Sequence, residues 1–318
     1  MKEKNLFTLN IKMLIKIFGI FVALIVLLLM AQRLLMPKYT GKMAEGALTG
    51  EYYESKKNHD VIFFGDSEVY YNFSPEVLNE EYGINAYIRG NANQTMWQSY
   101  YLLMDTLRYE TPKAVVVSVA SLMKEEVEGE AYNRMMLDTM EWSEYKYSCI
   151  KESMTEEENV ISYVFPIFRY HSRWNELSKD DFKYFFGEPN VSKDGYLARK
   201  EVVPLTRLPA VKPLSDYELS QKALEYLDKI KEICEEKDIK LVLVKSPSQY
   251  PYWYEEWDAA VVDYASKNEI LYVNLLEAVD EIGLDFSVDT FDGGKHLNMD
   301  GATKNTKYFG ELLQKELE

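Results

Sequence analysis

The sequence predicts an α/β fold: a parallel sheet covered by helices on both faces, behind a single membrane-spanning helix. Three observations predict it. Short apolar runs, VIFF at 61–64, AVVVSV at 114–119 and KLVLV at 240–244, alternate with amphipathic stretches of helical period. These runs are apolar on both faces of the pleat, as strands buried on two sides are. Near the start, residues 17–31 are fifteen uninterrupted apolar residues.

The elements follow in chain order. With Met13 to Ile15 added, the first apolar stretch approaches the roughly 20 residues that cross a bilayer, and Lys16 can snorkel to the interface. No small-x-small cleavage site follows it; the next residues are Gln32, Arg33, Leu34 and Leu35. The expectation is therefore an uncleaved anchor at 13–34. Lys2, Lys4, Lys12 and Lys16 outweigh Arg33, Lys38 and Lys42, which orients a short tail, 1–12, to the cytoplasm and the rest of the chain outside. Residues 35–57 read as a polar tether, and 58–318 as the folded domain.

Within that domain, Ser74-Pro75-Glu76 opens a helix, with serine as cap and proline at the first helical position. Strands are expected at 84–88 and 271–273 besides the three runs above. Helices are expected at 95–108, 217–237, 255–267 and 300–317. Between about 121 and 215 the alternation fails, and YVFPIFRYHSRW and DFKYFFGEP crowd aromatics together. This stretch reads as an insertion over the sheet's functional edge. Its aromatics form either a small core of their own or a groove for a sugar chain or acyl group.

Composition removes several function classes. Hydrophobic residues make up 47% and charged residues 28%, a globular balance. A formal net charge of −16 argues against nucleic-acid binding. Cys149 and Cys234 are the only cysteines, and they form neither a metal-ligand spacing nor a disulfide framework.

The chemistry centres on Gly65-Asp66-Ser67, where the first apolar run stops. In parallel sheets ligands bind at the carboxyl ends of the strands, where this turn falls. A serine nucleophile needs a base, usually histidine, and often an acid to orient it. Only three histidines are present. His59 precedes the first strand, at the wrong end of the sheet. His171 lies in the insertion with no acid nearby in sequence. His296 lies in DTFDGGKHLNMDG before the last helix, with Asp292 four residues upstream across Gly293-Gly294. Asp292 is the first candidate for the orienting acid and Asp289 the second. The plain alternative for this loop is a turn into the last helix, capped by Asp300. An oxyanion also needs donors. The amide of Ser67, Gly90 with its close backbone approach, and the side chains of Asn91, Asn93 and Gln94 fall at the same edge. Asp66 and Gln94 are further candidates for substrate contact.

Together, Gly65-Asp66-Ser67, Gly90 with its asparagines, and an acid-histidine loop near the end resemble the SGNH (GDSL-type) hydrolases. The likeness spans about 200 residues. It implies a three-layer flavodoxin-like sandwich, acyl hydrolysis or transfer, and no metal or diffusible cofactor. The implied roles are Ser67 nucleophile, His296 base and Asp292 acid, with Ser67 and Gly90 amides at the oxyanion. Two departures stand out. The third strand runs into Val119-Ala120-Ser121-Leu122, without the family's Gly-x-Asn-Asp block, so that Asn93 is the candidate substitute. The acid lies four residues before the histidine rather than three.

With its anchor, the chain is similar to the membrane-tethered SGNH proteins of bacterial envelopes, such as the D-alanine transfer protein of teichoic acid systems and the alginate acetylation proteins. That likeness implies transfer of acetyl or a similar acyl group to or from an envelope polysaccharide or teichoic acid, beside a membrane-bound O-acyltransferase. A simple envelope esterase or lipase, and a non-catalytic scaffold of the same fold, are the alternatives.

Overall fold

The computed structural model describes residues 3–318, with side chains from Asn10 onward. The first two residues of the expected tail lie outside the described residues. The chain divides into two compact units: residues 1–38 with 159–188, and residues 39–158 with 189–318.

In the first unit, α1 (Glu3–Leu35) begins inside the stretch read as a tail. Residues 10–35 form a helix long and apolar enough to cross a membrane, with an apolar surface that is exposed as far as Met30.

The second unit holds the sheet. A 3-10 segment (Gly41–Ala47) leads into α2 (Leu48–Glu54). Leu48 and Tyr52 are fully buried, and Leu48 joins the core on one face of the sheet. The stretch expected to be a polar tether is therefore folded from Tyr39 onward. Its apolar residues sit at helical spacing and have a core to enter.

β1 (Val61–Gly65) leads through α3 (Ser67–Tyr70) and α4 (Pro75–Tyr82) to β2 (Ala86–Gly90). α5 (Met96–Thr106) then leads to β3 (Ala114–Ser118), and α6 (Glu130–Leu137) and α7 (Glu144–Ser153) follow. Three short helices belong to the first unit: α8 (Val160–Val164), α9 (Ile167–Tyr170) and α10 (Lys179–Lys183). The sheet resumes with α11 (Gln221–Glu236), β4 (Lys240–Lys245), α12 (Glu255–Lys267), β5 (Leu271–Asn274), α13 (Val279–Ile282) and α14 (Met299–Leu317).

All four strand pairings are parallel, in the order β2-β1-β3-β4-β5. Side chains alternate across the pleat. Val61, Phe63, Val116 and Val242 enter one core with Phe73, Leu78 and Phe309 of the α4 and α14 layer. The opposite face meets α5 and α11. There Arg89 is fully buried, donating to Leu102 O, Thr106 and Asp105 and lying 4.0 Å from the Tyr52 ring centre. Caps fix the helix starts. Ser74 accepts from the Val77 amide with Pro75 just inside, and Thr95 with Gln98 completes a capping box on α5.

The insertion expected at 121–215 is divided between the units. Residues 159–188 go with α1, whereas 121–158 and 189–215 stay with the sheet.

Candidate active site

β1 ends in a crowded turn. A Cβ on Gly65 would lie 2.4 Å from Val69 Cγ2 and 2.7 Å from Ser118 Cβ, so only glycine lets α3 fold back this tightly. Asp66 caps α3, accepting the Glu68 amide at 3.1 Å. The amides of Val69 and Tyr70 bond to Asp66 O. These bonds use three of the first four amides and leave that of Ser67. Ser67 is half-buried. Burial pushes the Tyr70 phenol well above its usual range, and a hydrogen bond with the Ser67 hydroxyl works the other way.

The histidine loop folds back on itself. Gly293 and Gly294 adopt φ of 80° and 93°, left-handed values that glycine reaches without strain. The reversal brings both oxygens of Asp292 onto His296. The backbone amide donates to Oδ1 at 2.8 Å, and Nδ1 donates to Oδ2 at 2.6 Å. Burial works to raise the Asp292 carboxyl, but the hydrogen bond and charge of His296 outweigh it and hold it below the ordinary range. Nε2 of His296 is buried and has no hydrogen-bond partner among the described residues. The ring stacks on Phe291 at 5.7 Å and packs against Tyr71 at 5.0 Å. It lies within electrostatic reach of Asp66 and Glu68, which flank Ser67.

Asp289 does not touch the imidazole. It is buried, accepting from the Asp285 amide and from Lys304. The cap of α14 is Asn298, which accepts the Gly301 amide, and not Asp300. His59 is bound to Glu110 ahead of β1, and His171 is exposed in the first unit.

The remaining expected site residues take varied positions. Gly90 faces Gly65 across the ladder, and the Asn91 amide donates to Gly65 O at 3.2 Å. Ile88 donates to Asp194 O on the outer side of β2, and the Gly90 amide two residues on turns the same way. Gly90 instead provides space, since a Cβ there would lie 2.9 Å from the Tyr70 ring. Asn91 donates to Ala92 O and Tyr132 O. Asn93 is half-exposed at φ 52° on the turn after β2. Gln94, expected to contact substrate, is fully buried with its amide on Ser99. Asp66, expected in the same role, is almost enclosed and paired with Lys124 at 2.7 Å. Burial acts to raise its carboxyl, but Lys124, the Glu68 amide and His296 hold it low.

Three supporting groups have no counterpart in the sequence reading. Asn72 is fully buried and joins four segments. Its Oδ1 accepts the Leu297 amide at 2.7 Å, next to His296. Its Nδ2 donates to Ser246 and Ser248, and its carbonyl accepts from Asn305. Glu68, beside Ser67, forms a buried ion pair with Lys245 at 3.0 Å to both oxygens. Lys124 also donates to Gln94 O at 3.3 Å. A charged residue ending each of two apolar strand neighbourhoods, Lys124 after β3 and Lys245 in β4, was the available signal.

The 199–208 segment runs along the histidine loop. Arg199 O accepts the Met299 amide, Val203 O the Gly293 amide, and Leu205 packs on Gly294. The Arg199 guanidinium lies 5.6 Å from Tyr71 and 5.5 Å from Phe291, the two rings against His296. Beyond it, a cavity of about 400 Å³ is lined by Leu205, Leu208, Tyr252, Trp253, Leu276 and Phe286. Trp253 lies 5.5 Å from the Lys245 ammonium.

No protein-family model matches this chain, and no curated protein matches it. Solved structures similar to it include one assigned as an acylhydrolase from Bacteroides fragilis, at 12% identity, with 89% of this chain and 92% of that one covered and a TM-score of 0.39. A lipolytic protein of the G-D-S-L family from Desulfitobacterium hafniense is 14% identical, covering 80% and 99%, at a TM-score of 0.41. A GDSL-like lipase from Bacteroides thetaiotaomicron is 12% identical, covering 85% and 97%, at 0.37. Likeness this remote transfers neither family membership nor activity to the chain.

Proposed function

We propose that this chain is a membrane-anchored serine esterase or O-acyltransferase working outside the cytoplasm on acyl groups of an envelope polysaccharide or teichoic acid. The observation that supports it most directly is His296, held at Nδ1 by Asp292, with a buried Nε2 that has no hydrogen-bond partner among the described residues and a ring within electrostatic range of Asp66, next to Ser67.

In this reading Nε2 takes the proton from Ser67 as Oγ attacks the acyl carbonyl. The tetrahedral oxyanion meets the Ser67 amide and the Asn93 side chain. Collapse breaks the ester bond, and the imidazolium returns the proton to the departing alkoxide. The acyl-serine then passes its acyl group, acetyl or a similar group, to a sugar hydroxyl or to water, with His296 again as base. Asp292 keeps the proton on Nδ1 throughout. A membrane-bound O-acyltransferase would supply the acyl group across the bilayer.

The test is a fluorophosphonate probe on the full chain in detergent, with the adduct mapped by mass spectrometry. The expected result is an adduct on Ser67 that is lost in His296→Ala. Folded protein with no adduct at Ser67, in detergent and in native membranes alike, would favour the non-catalytic scaffold.

A further inference from the structure

Much of the aromatic segment 159–188 faces outward, although Tyr163 and Tyr170 are buried. Ile161, Phe165, Phe168, Trp174, Phe182 and Phe186 are all exposed, Trp174 at 70% and Phe186 at 93%. Ile161, Phe168 and Phe182 sit on helices of four or five residues, Trp174 on a 3-10 turn, and Phe165 and Phe186 just past helix ends, pieces too short to hold together without a supporting surface. What ties the segment down is the last turn of α1. Arg33 donates to the carbonyls of Tyr184, Phe185 and Gly187 and pairs with Glu188 at 2.8 Å. Arg173 donates to Leu35 O and pairs with Asp181. The side chains of α1 turn from exposed to half-buried at residue 31, where this segment closes around it.

We propose that 159–188 is a collar lying in the interfacial layer of the bilayer at the point where α1 leaves it. This rests on the reading of α1 as a membrane anchor. The occupant of the exposed face is lipid, for three reasons. The apolar band of α1 up to residue 30 is exposed in the same unit and continues into the collar. Nine of the thirty collar residues are aromatic: four are Tyr or Trp, which settle at headgroup level, and five are Phe, which line the apolar face of interfacial helices. Four basic and four acidic residues cancel across the collar, whereas the whole chain carries −16, so this segment meets an anionic membrane without the repulsion of the remainder. Short amphipathic pieces pinned beside a span become interfacial helices when their apolar faces sink to the acyl boundary.

The test uses the full chain in phosphatidylcholine–phosphatidylglycerol vesicles. Phe168→Cys and Phe186→Cys in the collar, Leu24→Cys in α1 and Val262→Cys on α12 each receive an environment-sensitive fluorophore. The native cysteines are buried. Doxyl groups at lipid carbon 5 or 12 report depth, and thermal unfolding checks that each labelled protein is folded. The expected result is strong quenching at 168 and 186 by the shallow quencher, at 24 by the deep one, and none at 262. Quenching at 24 with collar labels as unquenched as 262 would overturn the collar and leave the anchor standing. No quenching at 24 would remove the anchor and the collar together. Collar labels shielded only at high protein-to-lipid ratio would assign the face to a second copy, against the proposal.

Discussion

His59 and His296 are built alike at opposite ends of one sheet. In each, a carboxylate accepts both the backbone amide and Nδ1 of the same histidine. Glu110 takes them at 2.9 Å, and Asp292 at 2.8 and 2.6 Å. In each, burial is outweighed by the histidine's bonds, and the carboxyl is held below its ordinary range. Their surroundings differ. Glu110 also accepts from Tyr52, and the His59 ring packs against Tyr87 at 5.1 Å ahead of β1. Asp292 stays 29% exposed, and the far nitrogen of His296 is buried with no partner among the described residues, its ring within electrostatic range of Glu68. A histidine–carboxylate pair is thus a common structural unit. What distinguishes a candidate base is an idle nitrogen at the carboxyl edge of the strands.

The largest expected effect separates the two pairs by activity. Ser67→Ala and His296→Ala should each lower ester turnover by at least about 10³-fold with little loss of stability. His59→Gln should do the opposite, costing about 1–3 kcal/mol because Glu110 loses its buried ring donor, while the rate per folded molecule stays within about twofold. Ester hydrolysis and chemical denaturation on the same preparations would read both. Equal activity losses at the two histidines would dissolve the distinction.

A second test sharpens what supports the carboxyl edge. Lys245 is almost wholly buried, and its ammonium has Glu68 and the Ser246 carbonyl as partners. Lys245→Met should destabilise by about 3–5 kcal/mol, since it strands the Glu68 carboxylate in the core. Adding Glu68→Leu should recover most of that loss. A double variant no more stable than the single one would mean that the pair's packing, not its charge, holds the turn.

The acid limb supplies the third test. A carboxyl whose folded pKa is depressed contributes stability that is present above its unfolded value, about 4, and is lost as pH falls through the folded value. Glu110→Gln should therefore cost about 1–2 kcal/mol at pH 7 and much less at pH 3. Asp292→Asn should show the same trend more weakly, because its carboxylate is partly exposed to water, while losing activity at every pH. Urea melts at the two pH values check the sign.

Much of this fold was legible because strands buried on both faces write themselves as apolar runs. Val61, Ala114 and Lys240 each begin a strand where expected, while the second strand starts at Ala86 rather than Ile84 because the Asn85 carbonyl turns aside to accept the Asp60 and Val61 amides. Asp292 and His296 were legible because they are four residues apart. Asn72 was not, because its partners lie 174 to 233 residues away and a buried asparagine looks like a loop residue in sequence. The outward-facing aromatics of 159–188 were illegible for a related reason. Clustered aromatics signal burial, but sequence alone does not say whether protein or lipid does the burying.

The smallest effect bears on how the Asp292–His296 pair closes. His59 reaches its acid across 51 residues and needs no special backbone, whereas His296 reaches its acid across four only because Gly293 and Gly294 turn left-handed. A Cβ on Gly293 meets nothing closer than Pro204 O at 3.9 Å, so Gly293→Ala adds backbone strain without a clash. The expected cost is about 1 kcal/mol in stability. If the loop answers by opening, the carboxylate leaves Nδ1 and the rate falls more than stability does. Gly294→Ala is the harsher partner, since its Cβ would come within 3.1 Å of Leu205, so the two together separate strain in the turn from pressure on the wall beside it.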